Sequence, residues 1–183
     1  MTPSQAQAEP AETVWQGKYL AARRRGTWEY VSRVGGIRAA VILAIDAGDV
    51  ILVEQYRVPL GRTCLELPAG LVGDQEAGET VESSARRELE EETGYRAAHI
   101  EELGDFYSSP GMASESFTLV RATGLAKVGD GGGDHDENIT VHRVPLPRLP
   151  TFVAEKRAAG VGIDVRLLLL LGDSILVMGG SAG

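Results

Sequence analysis

Thirteen residues without Gly or Pro, Thr80 to Glu92, close the segment GDQEAGETVESSARRELEEETGY (Gly73–Tyr95) and constrain this chain more than any other feature. The segment opens as a polar, glycine-bearing loop, becomes helical, and meets a natural stop at Gly94. Val81, Ala85 and Leu89 recur every four residues and form one apolar stripe. Glu88 and Glu92 fall beside that stripe, with Glu91 a short rotation away, whereas Ser83, Arg86 and Glu90 point elsewhere. A charged surface helix accounts for Glu90. It does not account for three carboxylates at i, i+3 and i+4 on the packing side, where like charges destabilise a helix by roughly 0.2–0.5 kcal/mol per pair. A hard divalent cation with oxygen ligands suits them, Mg²⁺ or Mn²⁺ rather than zinc, because the chain has one Cys and three scattered His.

Gly73, Glu79, Arg87, Glu88, Leu89, Glu91, Glu92, Gly94 and Tyr95 match every fixed position of G-x5-E-x7-R-E-U-x-E-E-x-G-U, with U a bulky apolar or aromatic residue. The segment therefore resembles the signature box of the Nudix hydrolases. The resemblance implies an α/β (α+β) fold, the Nudix α/β/α sandwich with a mixed β-sheet, here with a small antiparallel β segment at the N-terminus. It implies metal ligation by Glu88, Glu91 and Glu92 and by the backbone carbonyl of Ala69, and an Arg87–Glu79 ion pair bracing the box. Gly73 supplies backbone freedom in the loop.

Flanking segments narrow the resemblance. Leu65–Gly70 (LELPAG) and Val53–Arg57 (VEQYR) are similar to elements of Nudix enzymes that cut ADP-sugars, where the residue matching Arg57 contacts phosphate. Pro110 lies sixteen positions after Gly94, as in the ADP-ribose pyrophosphatase branch, although S-P-G is a turn in any case. Pro110, Gly111 and Met112 of that loop are expected beside substrate. The segment Asp136–Val141 (DENITV) resembles the loop carrying the general base in that branch. Glu137 matches best, and Asp134 and Asp136 are alternatives. Glycines 131–133 would let such a loop swing. By composition alone, residues 128–137 are a mobile acidic loop. Glu91 or another box carboxylate, oriented by Arg87, is the further candidate for proton removal.

The chain of 183 residues is expected to divide into a frayed N-terminus (1–12), a β segment (13–35), the catalytic domain (36–178) and a tail (179–183). Trp15, Tyr19, Trp28 and Tyr30 crowd the β segment, consistent with sheet packing, a dimer surface, or stacking of Trp28 on a base. In the branch resembled, such segments meet across a homodimer. Arg38–Ile45 and Val50–Tyr56 read as a hairpin, and residues 97–105, 117–122 and 139–144 as further strands. Thr151 and Asp164 are expected to cap two late helices, 151–159 and 164–171.

A net charge of −8 without a basic stripe disfavours nucleic acid. No apolar run spans a bilayer and no signal peptide is visible, so a cytoplasmic location is expected. The resemblance implies Mg²⁺-dependent hydrolysis of ADP-ribose to AMP and ribose 5-phosphate. The alternatives are GDP-mannose or another nucleoside diphosphate sugar as substrate, and a Nudix-fold binding or regulatory module without turnover.

Overall fold

The computed structural model describes residues 9–73, 78–133 and 137–177. Most of the expected frayed N-terminus, all of the tail, and the loop acids Asp134 and Asp136 lie outside the described residues.

Strands β1 (Glu12–Gln16), β2 (Leu20–Arg25) and β3 (Trp28–Arg33) form a small antiparallel sheet. The large mixed sheet contains β4 (Arg38–Asp46), β5 (Asp49–Arg57), β6 (Arg62–Glu66), β7 (Ala69–Val72), β8 (Tyr95–Tyr107), β9 (Ser116–Lys127), β10 (Thr140–Pro145) and β11 (Gly162–Ile163). Its main path runs β11-β6-β5-β4-β9-β8, with β10 on β5 and β7 on β4. The helices are α1 (Val81–Thr93), α2 (Leu149–Ala158) and α3 (Leu168–Val177).

Alternation along the strands divides the core in two, because successive side chains leave opposite faces of a sheet. Val41, Leu43, Val50, Leu52 and Leu119 pack against Leu149 and Val153 of α2 and Leu171 of α3. Ala40, Ile42, Ala44, Ile51 and Val120 meet Val81, Ala85 and Leu89, the predicted stripe of α1. The result is the expected α/β/α sandwich. Truncating fully buried Leu89 to Ala would cost about 2–5 kcal/mol.

Strands β4 and β5 form the expected hairpin, but they pair only at Ile45–Val50 and Asp46–Asp49. Beyond that point β4 is bordered by β7 and by parallel β9, whereas β5 is bordered by β6 and β10. Helix α1 starts with a capping box between Thr80 and Ser83 and ends at Gly94, whose φ of 68° is left-handed.

Several local expectations are corrected. Thr151 caps nothing: α2 begins at Leu149, with Pro150 in its first turn, where a missing N–H breaks no helical bond. Asp164 does cap, accepting from the Arg166 N–H at 2.7 Å, but it opens a short 3-10 turn, Val165–Leu167, and α3 then runs on to Val177. The link at Gly162 and Ile163 is itself a strand, parallel to Cys64 and Leu65. Leu67 and Pro68 carry the chain directly from β6 into β7. Strands β8 and β9 outrun their expected limits, pairing from Tyr95–Lys127 to Tyr107–Ser116, and Gly104 absorbs a register shift between Glu102 and Gly104 with φ 117°.

The glycine-rich loop carries the main correction. Its described part is anchored on the end of α1: Val128 N–H donates to Gly94 O, Gly132 N–H to Glu92 O and Gly133 N–H to Glu91 O. A β-carbon on Gly131 would strike the Thr93 backbone, and one on Gly94 would strike Gly129. These glycines serve close backbone approach and capping of the helix.

Candidate active site

A cavity of about 720 Å³ opens where β4 and β5 part, within the usual range for a small-molecule site. Strands β5 and β6 contribute Gln55, Arg57, Cys64 and Glu66 to its wall, and β7 contributes Ala69 and Gly70. Helix α1 contributes Glu88 and Glu92, and Glu137 enters from the loop before β10. Two walls are therefore fixed by strand register and a third by the helical period.

Glu92 is almost wholly buried, at 4% exposure, and its Oε2 accepts the Ala69 N–H at 3.0 Å. Burial pushes its carboxyl up to about 8; the Ala69 N–H opposes the rise, and the neighbouring Glu88 and Glu137 charges add to it. Glu88 lies against the backbone of Gly70, in space that a β-carbon there would occupy. Glu137 lies in the same way against Gly133.

Arg87 is the hub of the box. Its Nε donates to Glu79 Oε1 at 3.2 Å, and its Nη1 donates to Glu88 Oε1 at 2.8 Å and Glu91 Oε2 at 3.0 Å. Glu79 in turn accepts the Gly73 N–H at 3.0 Å, so the loop is tied to the helix through one guanidinium. That accounts for part of the charge that the helical pattern leaves in need of neutralisation. Glu91 faces Arg87 and is not among the cavity-lining side chains.

The residual donor set is all oxygen, carboxylates beside backbone, which fits a hard divalent cation. Among the described residues, no group of three His, Cys, Asp or Glu side chains already stands at metal-holding distances. Burial is the main cause of the rise at Glu92, and the repulsion from Glu88 and Glu137 that adds to it is what a bound cation would relieve.

The other candidates divide. Arg57 lines the cavity and forms a two-pronged pair with buried Glu66, at 2.7 Å for both bonds. Pro110, Gly111 and Met112 stand back from the cavity; their loop docks on β3, where Val31 N–H donates to Met112 O and Val31 O accepts from Ser114 N–H. Ser108, Ser109 and Glu115 of the same loop do face it, and Glu115 holds Arg33 at 2.5 Å. Trp28 is 60% exposed on the small sheet and does not line the cavity. Glu66 within LELPAG and Arg166 carry no motif of their own in the sequence, yet both line the cavity, Arg166 held by Asp164 two residues before it.

Among the described residues, no helix is long and apolar enough to cross a membrane.

A family model described as NUDIX domain matches residues 36–160. A "Methanol dehydrogenase activator" of Bacillus methanolicus is 39% identical over 130 residues, covering 70% of this chain and 68% of that protein. An "ADP-ribose pyrophosphatase" of Bacillus subtilis (strain 168) is 41% identical over 119 residues, covering 64% of this chain and 62% of that protein. A solved structure titled "Crystal structure of ADP compounds hydrolase" superposes with a TM-score of 0.67 over 94% of each chain, at 23% identity, and so shares the fold.

Proposed function

The chain belongs to the Nudix family, and on that footing we propose that it hydrolyses the pyrophosphate bond of ADP-ribose, or a closely related nucleoside diphosphate sugar. Water adds to one phosphorus, the bridging P–O bond breaks, and AMP and ribose 5-phosphate leave. One observation carries the reading: Glu88, Glu92, Glu137 and Arg57, drawn from a helix, a loop and a strand, line one cavity.

Glu88, Glu91 and Glu92, with the Ala69 carbonyl, are the residues that would hold a divalent cation, Mg²⁺ first and Mn²⁺ as its substitute. A bound ion of this kind withdraws charge from phosphoryl oxygens and acidifies water. The chain's own groups supply the remainder. Arg57 orients a phosphate, and its pairing with Glu66 fixes the guanidinium plane. Glu137 accepts the proton of the attacking water, with Glu91 the alternative base. Arg87 and Glu79 keep the ligating carboxylates in place, and Gly73 and Gly94 shape the ends of the box. Pro110, Gly111 and Met112 order the loop that presents Ser108 and Ser109 to substrate. Exposed Trp15 and Trp28, at 61% and 60%, support a homodimer joined through the small sheet, with Trp28 stacking on the partner or on adenine.

The experiment is a hydrolysis panel with Mg²⁺ and with chelator, over ADP-ribose, ADP-glucose, GDP-mannose, NADH, diadenosine polyphosphates and nucleoside triphosphates. ADP-ribose should be cut fastest, and only with the metal. A faster rate on GDP-mannose would keep the chemistry and overturn the substrate; no turnover with Mg²⁺ or Mn²⁺ would favour a binding module. Sedimentation tests the dimer, and a monomer would refute it.

A further inference from the structure

Arg166 stands on the same cavity wall as Arg57 and has no part in the chemistry above. Its guanidinium is fixed on three sides. Nε and Nη2 donate to the two carboxylate oxygens of Asp164 at 2.7 and 2.6 Å, Nη2 stands 3.7 Å from Glu66 Oε2, and the Phe117 ring lies under the group at 5.8 Å. Glu66, itself 2% exposed, thus sits between two arginines and holds Arg57 through both oxygens.

A guanidinium offers five N–H donors in a rigid fork, and a two-pronged carboxylate pair through Nε and Nη2 leaves the Nη1 edge over. Among the described residues, Nη1 of Arg57 and Nη1 of Arg166 donate to no protein acceptor. Neither atom is sealed from solvent, since both residues border the cavity and neither appears among the buried polar atoms lacking a partner. Two solvent-accessible donor edges therefore belong to residues that line one cavity, each guanidinium backed by its own carboxylate. The four charges cancel, so the wall needs no counter-ion when empty yet can still give hydrogen bonds to an anion.

We propose that Arg166 is a second substrate-contact residue, gripping the phosphate that Arg57 does not, with Glu66 and Asp164 as positioning residues that hold the two forks apart. The ligand chemistry selected is a diphosphate, two linked phosphoryl groups, rather than a single phosphate. This rests on the reading of the cavity as a pyrophosphate site. A purely structural pin, tying the segment after β11 to β6 through Glu66, would explain the Arg166–Glu66 approach but has no use for an open donor edge on a residue lining the cavity.

The test measures kcat and KM for ADP-ribose, and ADP binding by calorimetry with Mg²⁺, for wild type, Arg166→Ala and Arg166→Lys. Losing one charge-assisted contact should raise KM and weaken ADP by about tenfold, leaving AMP affinity and kcat within about threefold. Lys keeps the charge and can still reach Asp164, but lacks the fork, so it should recover only part of the ADP affinity. Should the alanine variant fail to fold, the wild-type protein decides: ADP should protect Arg166 from an arginine-selective dicarbonyl reagent, located by peptide mass spectrometry. Unchanged ADP affinity in the lysine variant together with no protection of Arg166 would overturn the proposal. A wild type that neither binds ADP nor cuts any diphosphate would instead overturn the cavity reading on which it stands.

Discussion

The carboxyl group of Glu88 lies in the space that the absent side chain of Gly70 leaves open. Gly70 has an ordinary negative-φ strand backbone, so the relationship is steric and owes nothing to glycine's conformational range. Gly70→Ala should therefore displace Glu88 while leaving the strand pairing of β7 intact. Turnover should fall by about a hundredfold or more, with weakened metal binding seen as a higher Mg²⁺ concentration for half-maximal rate. Gly172→Ala, on α3 and away from the cavity, is the matched comparison, since nothing lies within contact range of a β-carbon there and φ is not left-handed. Equal loss in both variants would show that the Gly70–Glu88 approach has no special role.

Arg87 links Glu79, Glu88 and Glu91, and with a side chain 20% exposed it is well shielded from solvent. Arg87→Met should leave those carboxylates to repel one another. Breaking a fully buried pair costs roughly 3–5 kcal/mol, and partial exposure brings the expected loss here to about 2–3 kcal/mol. Because a divalent cation neutralises the same carboxylates, Mg²⁺ should restore part of the lost stability, measured as a larger rise in Tm on adding metal than in wild type. A variant whose Tm ignores the metal would place the cation elsewhere.

What the sequence made legible follows the range of the signal. The α1 box is local: its stripe, its three acids and its glycine stop lie within one helix, and the 3.6-residue period brings them together. The Glu66–Arg57 and Glu66–Arg166 contacts depend on how β5, β6 and the segment after β11 align, which no local period encodes. Glycines 131–133 read as freedom of movement for a related reason. Composition reports that a backbone can move, and it cannot report that another backbone lies against it. Pro150 sits in the first turn of α2 because proline, which cannot continue a helix, can begin one.

Away from the cavity, Glu54 on β5 joins β10 and α2, with Oε2 2.8 Å from His142 Nε2 and 2.5 Å from Lys156 Nζ. Burial alone would raise the Glu54 carboxyl, but the hydrogen bonds from Lys156 and His142 outweigh it and hold the group below its ordinary 4.5. For a carboxyl depressed in the folded state, the stabilisation is present above the unfolded pKa and is lost as pH falls through the folded one. Wild-type Tm should therefore drop as pH falls below about 4.5, and Glu54→Gln should flatten that part of the profile. At neutral pH the variant should be less stable by about 1–3 kcal/mol, as expected when a charged acceptor is lost from a half-buried pair. Superimposable acid limbs would remove Glu54 from the account of acid sensitivity.

Glu92 and Glu137 separate stability from chemistry. Glu92 is buried among like charges, and its burial favours the neutral form, so an uncharged amide suits the empty site. Gln at position 92 can still accept the Ala69 N–H through Oε1. Glu92→Gln should therefore keep or raise Tm in chelator, yet lose nearly all metal-dependent turnover, by about a hundredfold or more, and most of the Tm gain on adding Mg²⁺. Glu137→Gln should behave differently: a lower kcat by about 10²–10⁴-fold, the span of general base catalysis, with KM and metal response largely kept. Rates near wild type for Glu92→Gln would remove it from the ligand set, whereas an unchanged kcat for Glu137→Gln would pass the proton to another carboxylate of the cavity or its loop.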